Sequence, residues 1–229
     1  MKHILVSLAA LTLLTAAALP ASAGVLYSQR TDPALSGSWQ SQTANGTNGF
    51  DQKFDDFSLS TTGTINNVSW TGFLSPSSTA INGFTIGFYQ DNFDNVDFPG
   101  AVGTLLASTV IAGDAGQAAN SIPDAHGFGV FNFSTAIDPF VATGGTTYWI
   151  SIVADPFVNS GNVRWAVSDH GDGTFNSFDG NAVTSIGQDL AFTLSNSAVP
   201  EPSGLVLDGS GLIVLAGFGR RLLARSART

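Results

Sequence analysis

The segment Asp91-Asn92-Phe93-Asp94-Asn95-Val96-Asp97 sets three carboxylates and two amides within seven residues. Oxygen ligands at that density suit calcium, which gathers about six to eight of them. A second acidic turn, Asp169-His170-Gly171-Asp172-Gly173, has Asp179 beyond it. Neither run has EF-hand spacing, in which ligands alternate ahead of a glycine and a distal Glu. The same composition also suits plain polar turns, because Asp and Asn tolerate tight backbone conformations. The expectation is therefore polar turns with no certain cofactor, beside the alternative of structural calcium held by Asp91, Asp94, Asp97, Asp169 and Asp172.

The catalytic constellations carry less. Asp55 and Asp56 are neighbours, so on a strand they point to opposite faces and cannot work as a local acid and base. A glycosidase could draw two Asp from separate strands, but the chain has so many Asp that pairs arise by chance. Ser168-Asp169-His170 is contiguous, whereas triads converge in space. A zinc site built on His126 and His170 has no support from their spacing. The expectation is a protein that is not an enzyme, with a glycan-active hydrolase as an alternative. Among the four Trp, Trp70, Trp149 and Trp165 lie in apolar strands and are expected in the core. Trp39 lies between Ser38 and Gln40 and is the candidate for stacking on a sugar. With the acidic turns it makes a calcium-assisted carbohydrate-binding module the alternative function. Asn45, Asn67 and Asn132 match the N-x-Ser/Thr pattern.

The elements that must position these residues are strands. Of 229 residues 43% are apolar and only 11% charged, and Glu201 is the sole Glu. Solvated helices are built largely from Glu, Lys, Arg and Ala, so long surface helices are not expected. The absence of Cys excludes disulfides and thiolate chemistry. A net charge of −9 excludes nucleic acid as a partner, whose phosphates require a basic face. Period-two alternation runs through Phe84-Ile86-Phe88, Val163-Trp165-Val167 and Leu190-Phe192-Leu194, and Thr147 to Val153 is apolar on both faces, as a central strand would be. Further strands are expected over Val25–Gln29, Phe54–Leu59, Ile65–Phe73, Thr104–Ile111 and Gly129–Phe133, separated by Gly, Asn, Asp and Ser. Eight or nine such strands without helices predict a two-sheet β-sandwich of jelly-roll type over residues 24–198.

Both ends read as addresses. Lys2, the apolar run Ile4 to Leu19, and Pro20 before Ala21-Ser22-Ala23 form a secretory signal, with small residues at Ala21 and Ala23 for signal peptidase and cleavage before Gly24. At residues 199–229 the order is Val199-Pro200-Glu201-Pro202-Ser203, an apolar run from Gly204 to Gly219, then Arg220-Arg221. The prolines hold the backbone extended. Arginines after the run keep that end on the cytoplasmic side and leave the acidic middle outside.

This tail resembles the PEP-CTERM sorting signal of secreted bacterial proteins. The resemblance implies that Pro200, Glu201 and Pro202 are the motif gripped by an exosortase-type membrane protease, and that Arg220 and Arg221 are the membrane stop behind a transmembrane-type helix. Asp208 departs from the pattern, since a central carboxylate costs about 2.5 to 3.5 kcal/mol on the insertion scale. Phe54-Asp55-Asp56-Phe57, Gly83 to Asp91, Phe98-Pro99-Gly100 and Thr147 to Ile152 resemble a β-sandwich ectodomain common among PEP-CTERM proteins, although Ala166-Val167 stands after Trp165 in place of a Trp-rich strand. The implied function is that of a non-enzymatic exported protein, transiently anchored in the inner membrane and sorted to the cell surface or extracellular matrix, where polysaccharide is a further expected partner.

Overall fold

The computed structural model describes residues 24–32, 34, 37–75, 81–91, 103–120 and 127–196. Fourteen strands and no helix form among them. One sheet has eight strands. β1 (Gly24–Gln29), β14 (Phe192–Asn196), β4 (Gly63–Leu74), β10 (Val163–Ser168) and β13 (Asp189–Leu190) follow one another, with β8 (Gly129–Ala142) also on β4, β7 (Ala118–Ala119) on β8 and β2 (Ser38–Gln40) on β10. The other has six, in the order β12 (Val183–Ile186), β11 (Phe175–Phe178), β3 (Gln52–Ser58), β9 (Thr147–Pro156), β5 (Ile81–Gln90) and β6 (Leu105–Ala112). All named pairs are antiparallel.

Alternation puts one side of each strand into a shared core. Phe84, Ile86 and Phe88 from β5 meet Trp70, Phe133, Trp165 and Phe192 from the eight-stranded sheet, making the pair of sheets sandwich-like. Trp70 lies flat on Phe133 at 5.1 Å and edge-on to Phe84 at 5.0 Å, bridging the two sheets. Offset and edge-to-face geometries are the favourable ones for aromatic rings. The Trp165 indole N–H, buried with its ring, donates to the Ala191 carbonyl at 2.8 Å.

The expected strand Val163–Ser168 is β10, residue for residue, and Thr147–Val153 falls in β9, flanked by β3 and β5. The segment foreseen as Gly129–Phe133 runs on to Ala142, and β2, β7, β11 and β12 were not foreseen. Trp149 is a correction. It stands opposite Asp56 on the face of β9 turned away from Ile150 and Ile152, is only half-buried, and donates its indole N–H to Asp91 Oδ1 at 2.8 Å. An apolar run predicted burial on both sides, but alternation decided which aromatic went inside. Both expected terminal helices lie outside the described residues.

Gly83 stands where β5 is flanked by β6 and β9 at a register shift. An added Cβ would press into the Ile111 carbonyl oxygen, which is backbone and cannot swing away. Gly83→Ala is expected to lose about 1–3 kcal/mol, as overpacking does. Gly49→Ala, with open space around its Cβ, should stay within about 0.5 kcal/mol of the parent, both read from urea midpoints.

Candidate functional site

β3 sends Lys53, Asp55 and Phe57 to the interior and Asp56 outward, as the alternation of neighbours requires. Asp55 has no exposed surface. Its Oδ2 accepts the Leu190 N–H at 2.5 Å and its Oδ1 accepts the Asp56 N–H at 2.8 Å. With its amide assigned so that nitrogen faces the carboxylate, Gln29 donates to Asp55 Oδ2 at 3.0 Å and to the Leu190 carbonyl at 2.6 Å, while its oxygen accepts the Tyr27 hydroxyl at 3.0 Å. One carboxylate thus ties the six-stranded sheet to β13 and β1 of the other. Burial pushes Asp55 well above the usual carboxylate range, outweighing the Leu190 N–H, and the nearby charges of Asp189 and Asp56 add to the rise. Burial, then repulsion from Asp172 and Asp189, pushes Asp56 up to about 6. Asp189 is also raised, chiefly by burial, although Gly173 and Thr174 donate backbone N–H groups to it. Burial first, then those same acids, raise Tyr27 to about 12.

Two residues before Asp55 on the same face of β3, the ammonium of Lys53, 1% exposed, is held by Asp51 and by Ser177 Oγ at 2.6 Å, and lies 5.9 Å over the Trp39 ring. Burial lowers its pKa and the bond to Asp51 opposes that. Trp39 is half-buried. Its indole N–H goes to Gln188 Oε1 at 2.8 Å and its ring meets Phe175 edge-on at 5.5 Å, so its polar atom is already in use.

Asp91 ends β5 beside Trp149, whereas Asp169 and Asp172 lie in the β10–β11 turn. Asp169 pairs with the His170 ring, and Asp172 Oδ1 accepts the N–H and the hydroxyl of Thr174, each at 2.9 Å. Among the described residues no three His, Asp or Glu side chains are grouped to hold a metal. Asp94, Asp97 and His126 lie outside the described residues, as do Ala21, Ala23, Pro200, Glu201, Pro202, Arg220 and Arg221. Among those described, no helix is long and apolar enough to cross a membrane. Asn45 is buried and fully engaged, donating to the Ser160 carbonyl and accepting from the N–H groups of Thr47 and Asn48, so its sequence match marks a loop brace.

The site that sequence reasoning missed is a shallow groove of about 220 Å³ on the outer face of the eight-stranded sheet, lined by Ser28, Arg30, Thr31, Thr71, Asn132 and Thr193 among others. Thr193 alternates with buried Phe192 and Leu194, which was the available signal for a polar outer face. Ser28 and Thr193 share a hydroxyl hydrogen bond of 2.9 Å. Thr71 gives its hydroxyl proton to Asn132 Oδ1 at 3.2 Å, so the 2.7 Å bond between Thr31 and Thr71 must be donated by Thr31. A second bond onto Asn132 Oδ1, from Asn120 Nδ2 at 3.1 Å, fixes that amide's orientation.

No protein-family model matches the chain, and a search of curated proteins returns no match.

Asp55, Asp56 and Asp189 hold protons more tightly in the folded chain than in the unfolded one. The native state therefore binds more protons, and stability falls as pH rises. For Asp56 the fall runs from the ordinary value of 3.8 to about 6. Urea midpoints between pH 4 and 7 should decline, with Asp55→Asn giving a flatter profile. Asp55→Ala, which strips the acceptor from Leu190, should lose roughly 1–3 kcal/mol. Midpoints that climb through this window would contradict the assignment.

Proposed function

We propose that the chain is a non-enzymatic exported protein whose body is displayed at the cell surface or in the extracellular matrix after exosortase-type sorting at Pro200-Glu201-Pro202. The observation that carries the proposal is the tripartite tail beginning at Val199, just past the last described strand, β14, which ends at Asn196. The other end of the body supports it. β1 begins at Gly24, the residue that signal peptidase would expose after Ala21-Ser22-Ala23, and Gly24 N donates to Asn196 Oδ1 at 2.7 Å. A new amino terminus there would lie against the strand that leads into the tail.

The jelly-roll form of the two-sheet body belongs to the same proposal, supported by two antiparallel sheets that share one aromatic core. The absence of an activity is supported by the carboxylates themselves. Asp55 is sealed between the sheets, and Ser168 Oγ donates to the Arg30 carbonyl at 2.6 Å and accepts the backbone N–H of His170 at 3.0 Å, while the His170 ring pairs with Asp169.

Mass spectrometry of the exported protein tests this reading. The wild type should begin at Gly24 and lack the apolar tail, while Glu201→Ala should keep it. Identical masses for the two proteins would overturn sorting at this motif, and an intact Met1 would overturn export by a cleaved signal.

A further inference from the structure

We propose that the outer-face groove between β1, β14, β4 and β8 binds one residue of an acidic oligosaccharide, with Arg30 taking the sugar carboxylate and the hydroxyl row taking the ring hydroxyls. Residues 24–198 hold fifteen Asp against Arg30, Lys53 and Arg164. Lys53 is buried on Asp51, and Arg164 donates its Nε–H to Ser38 Oγ at 2.9 Å and stands over the Phe128 ring. Arg30 is exposed, and among the described residues no carboxylate pairs with it. None of the groove's lining residues is acidic. In a body so rich in carboxylates, an exposed Arg that no described carboxylate pairs with, at a groove without acidic lining residues, selects an anion, because Arg binds carboxylates through a planar fork of donors.

The hydroxyl row supplies the second half of the specificity. The bonds Thr31 to Thr71 to Asn132 run in one direction across three separate segments of chain. Lone pairs of Thr31 Oγ1 are left at one end and the Asn132 amide N–H groups at the other, with the Ser28 and Thr193 hydroxyls alongside. Sugar hydroxyls both donate and accept, so a row of fixed polarity matches them with little further ordering, which is where preorganised sites gain affinity. Trp70 and Phe133 present their rings to the core, so hydrogen bonds and charge, not stacking, make the contact. The volume is below the ~300–1,000 Å³ that engulfs a drug-sized ligand. That size fits one ring of a chain lying across the surface.

The test uses the full chain in a nonionic detergent and titration calorimetry with trigalacturonate, galactotriose and sodium acetate. Trigalacturonate should bind at least tenfold tighter than galactotriose, and acetate should bind too weakly to compete. Arg30→Gln should erase the preference while leaving the thermal midpoint in place. Thr193→Val, which keeps the side-chain shape, should weaken both sugars several-fold. Equal affinity for the two sugars, binding of neither, an unchanged preference in Arg30→Gln, or acetate competing as well as trigalacturonate would each overturn the proposal. None of these outcomes depends on how the C-terminal tail is processed.

Discussion

A carboxylate with no exposed surface, Asp55, holds the two sheets in register where their apolar faces alone would leave them free to slide. Hydrophobic contact is non-directional, and rings such as Trp70 and Phe84 would accept a range of offsets. The Asp55 bond to the Leu190 N–H accepts only one. Its consequences spread along the chain. Ala191 follows Leu190, gives its carbonyl to Trp165 Nε1 and its N–H to the Ala166 carbonyl at 2.9 Å, and so fixes where β14 begins. Gln29, bonded to the same carboxylate, fixes where β1 ends. The groove lies between these two points, so the placing of Thr193 and Arg30 on the outer face follows from a buried carboxyl group on the inner one.

That arrangement has an electrostatic cost. Burying a carboxylate disfavours its charged form, and several backbone and amide N–H groups aimed at Asp55 do not fully offset the loss of water. Asp189 and Asp56 raise the cost further by repulsion. What is gained is specificity of packing in a core rich in Phe, where flat rings can stack in more than one way. Lys53 does the corresponding work one step along the same face of β3, where Asp51, Ser177 and Trp39 surround its ammonium. The inward face of β3 is therefore pinned by two neighbouring buried ionisable side chains, Lys53 and Asp55.

Much of the fold was legible in the sequence, because the residue types of the core strands repeat with period two. Phe84, Ile86 and Phe88 declare their face without ambiguity, as do Leu190, Phe192 and Leu194. The short edge strands β11 and β12 were not legible, since Phe175–Phe178 and Val183–Ile186 sit among Gly, Asp and Asn and have few positions in which to show a period. Asp55 and Lys53 defeated the pattern altogether, because a charged residue on a strand is read as facing solvent until its partner across the sheets is known. The groove was hidden for a related reason. Its residues come from four strands and a connecting segment, each contributing one or two ordinary Ser, Thr or Asn, and only the register Gln29 to Phe192, Thr193 to Ser69 and Thr71 to Asn132 assembles them. The acidic turns, conspicuous as sequence, use Asp169 and Asp172 in local bonds.

The pairing of β1 with β14 also relates the two ends of the body to the groove. Gly24 and Asn196 face each other at one end of this ladder, and Gln29 and Phe192 at the other. At about 3.3 Å per strand residue, five residues separate those ends by roughly 16 Å. Arg30 and Thr31 lie beyond the far end. On the sorting proposal the chain leaves toward its tail from Asn196, so whatever tethers the body does so at the opposite end of the same ladder from Arg30. A polar groove set at that end, on the outer face of the sheet, is open to large ligands without any rearrangement of the strands that form it.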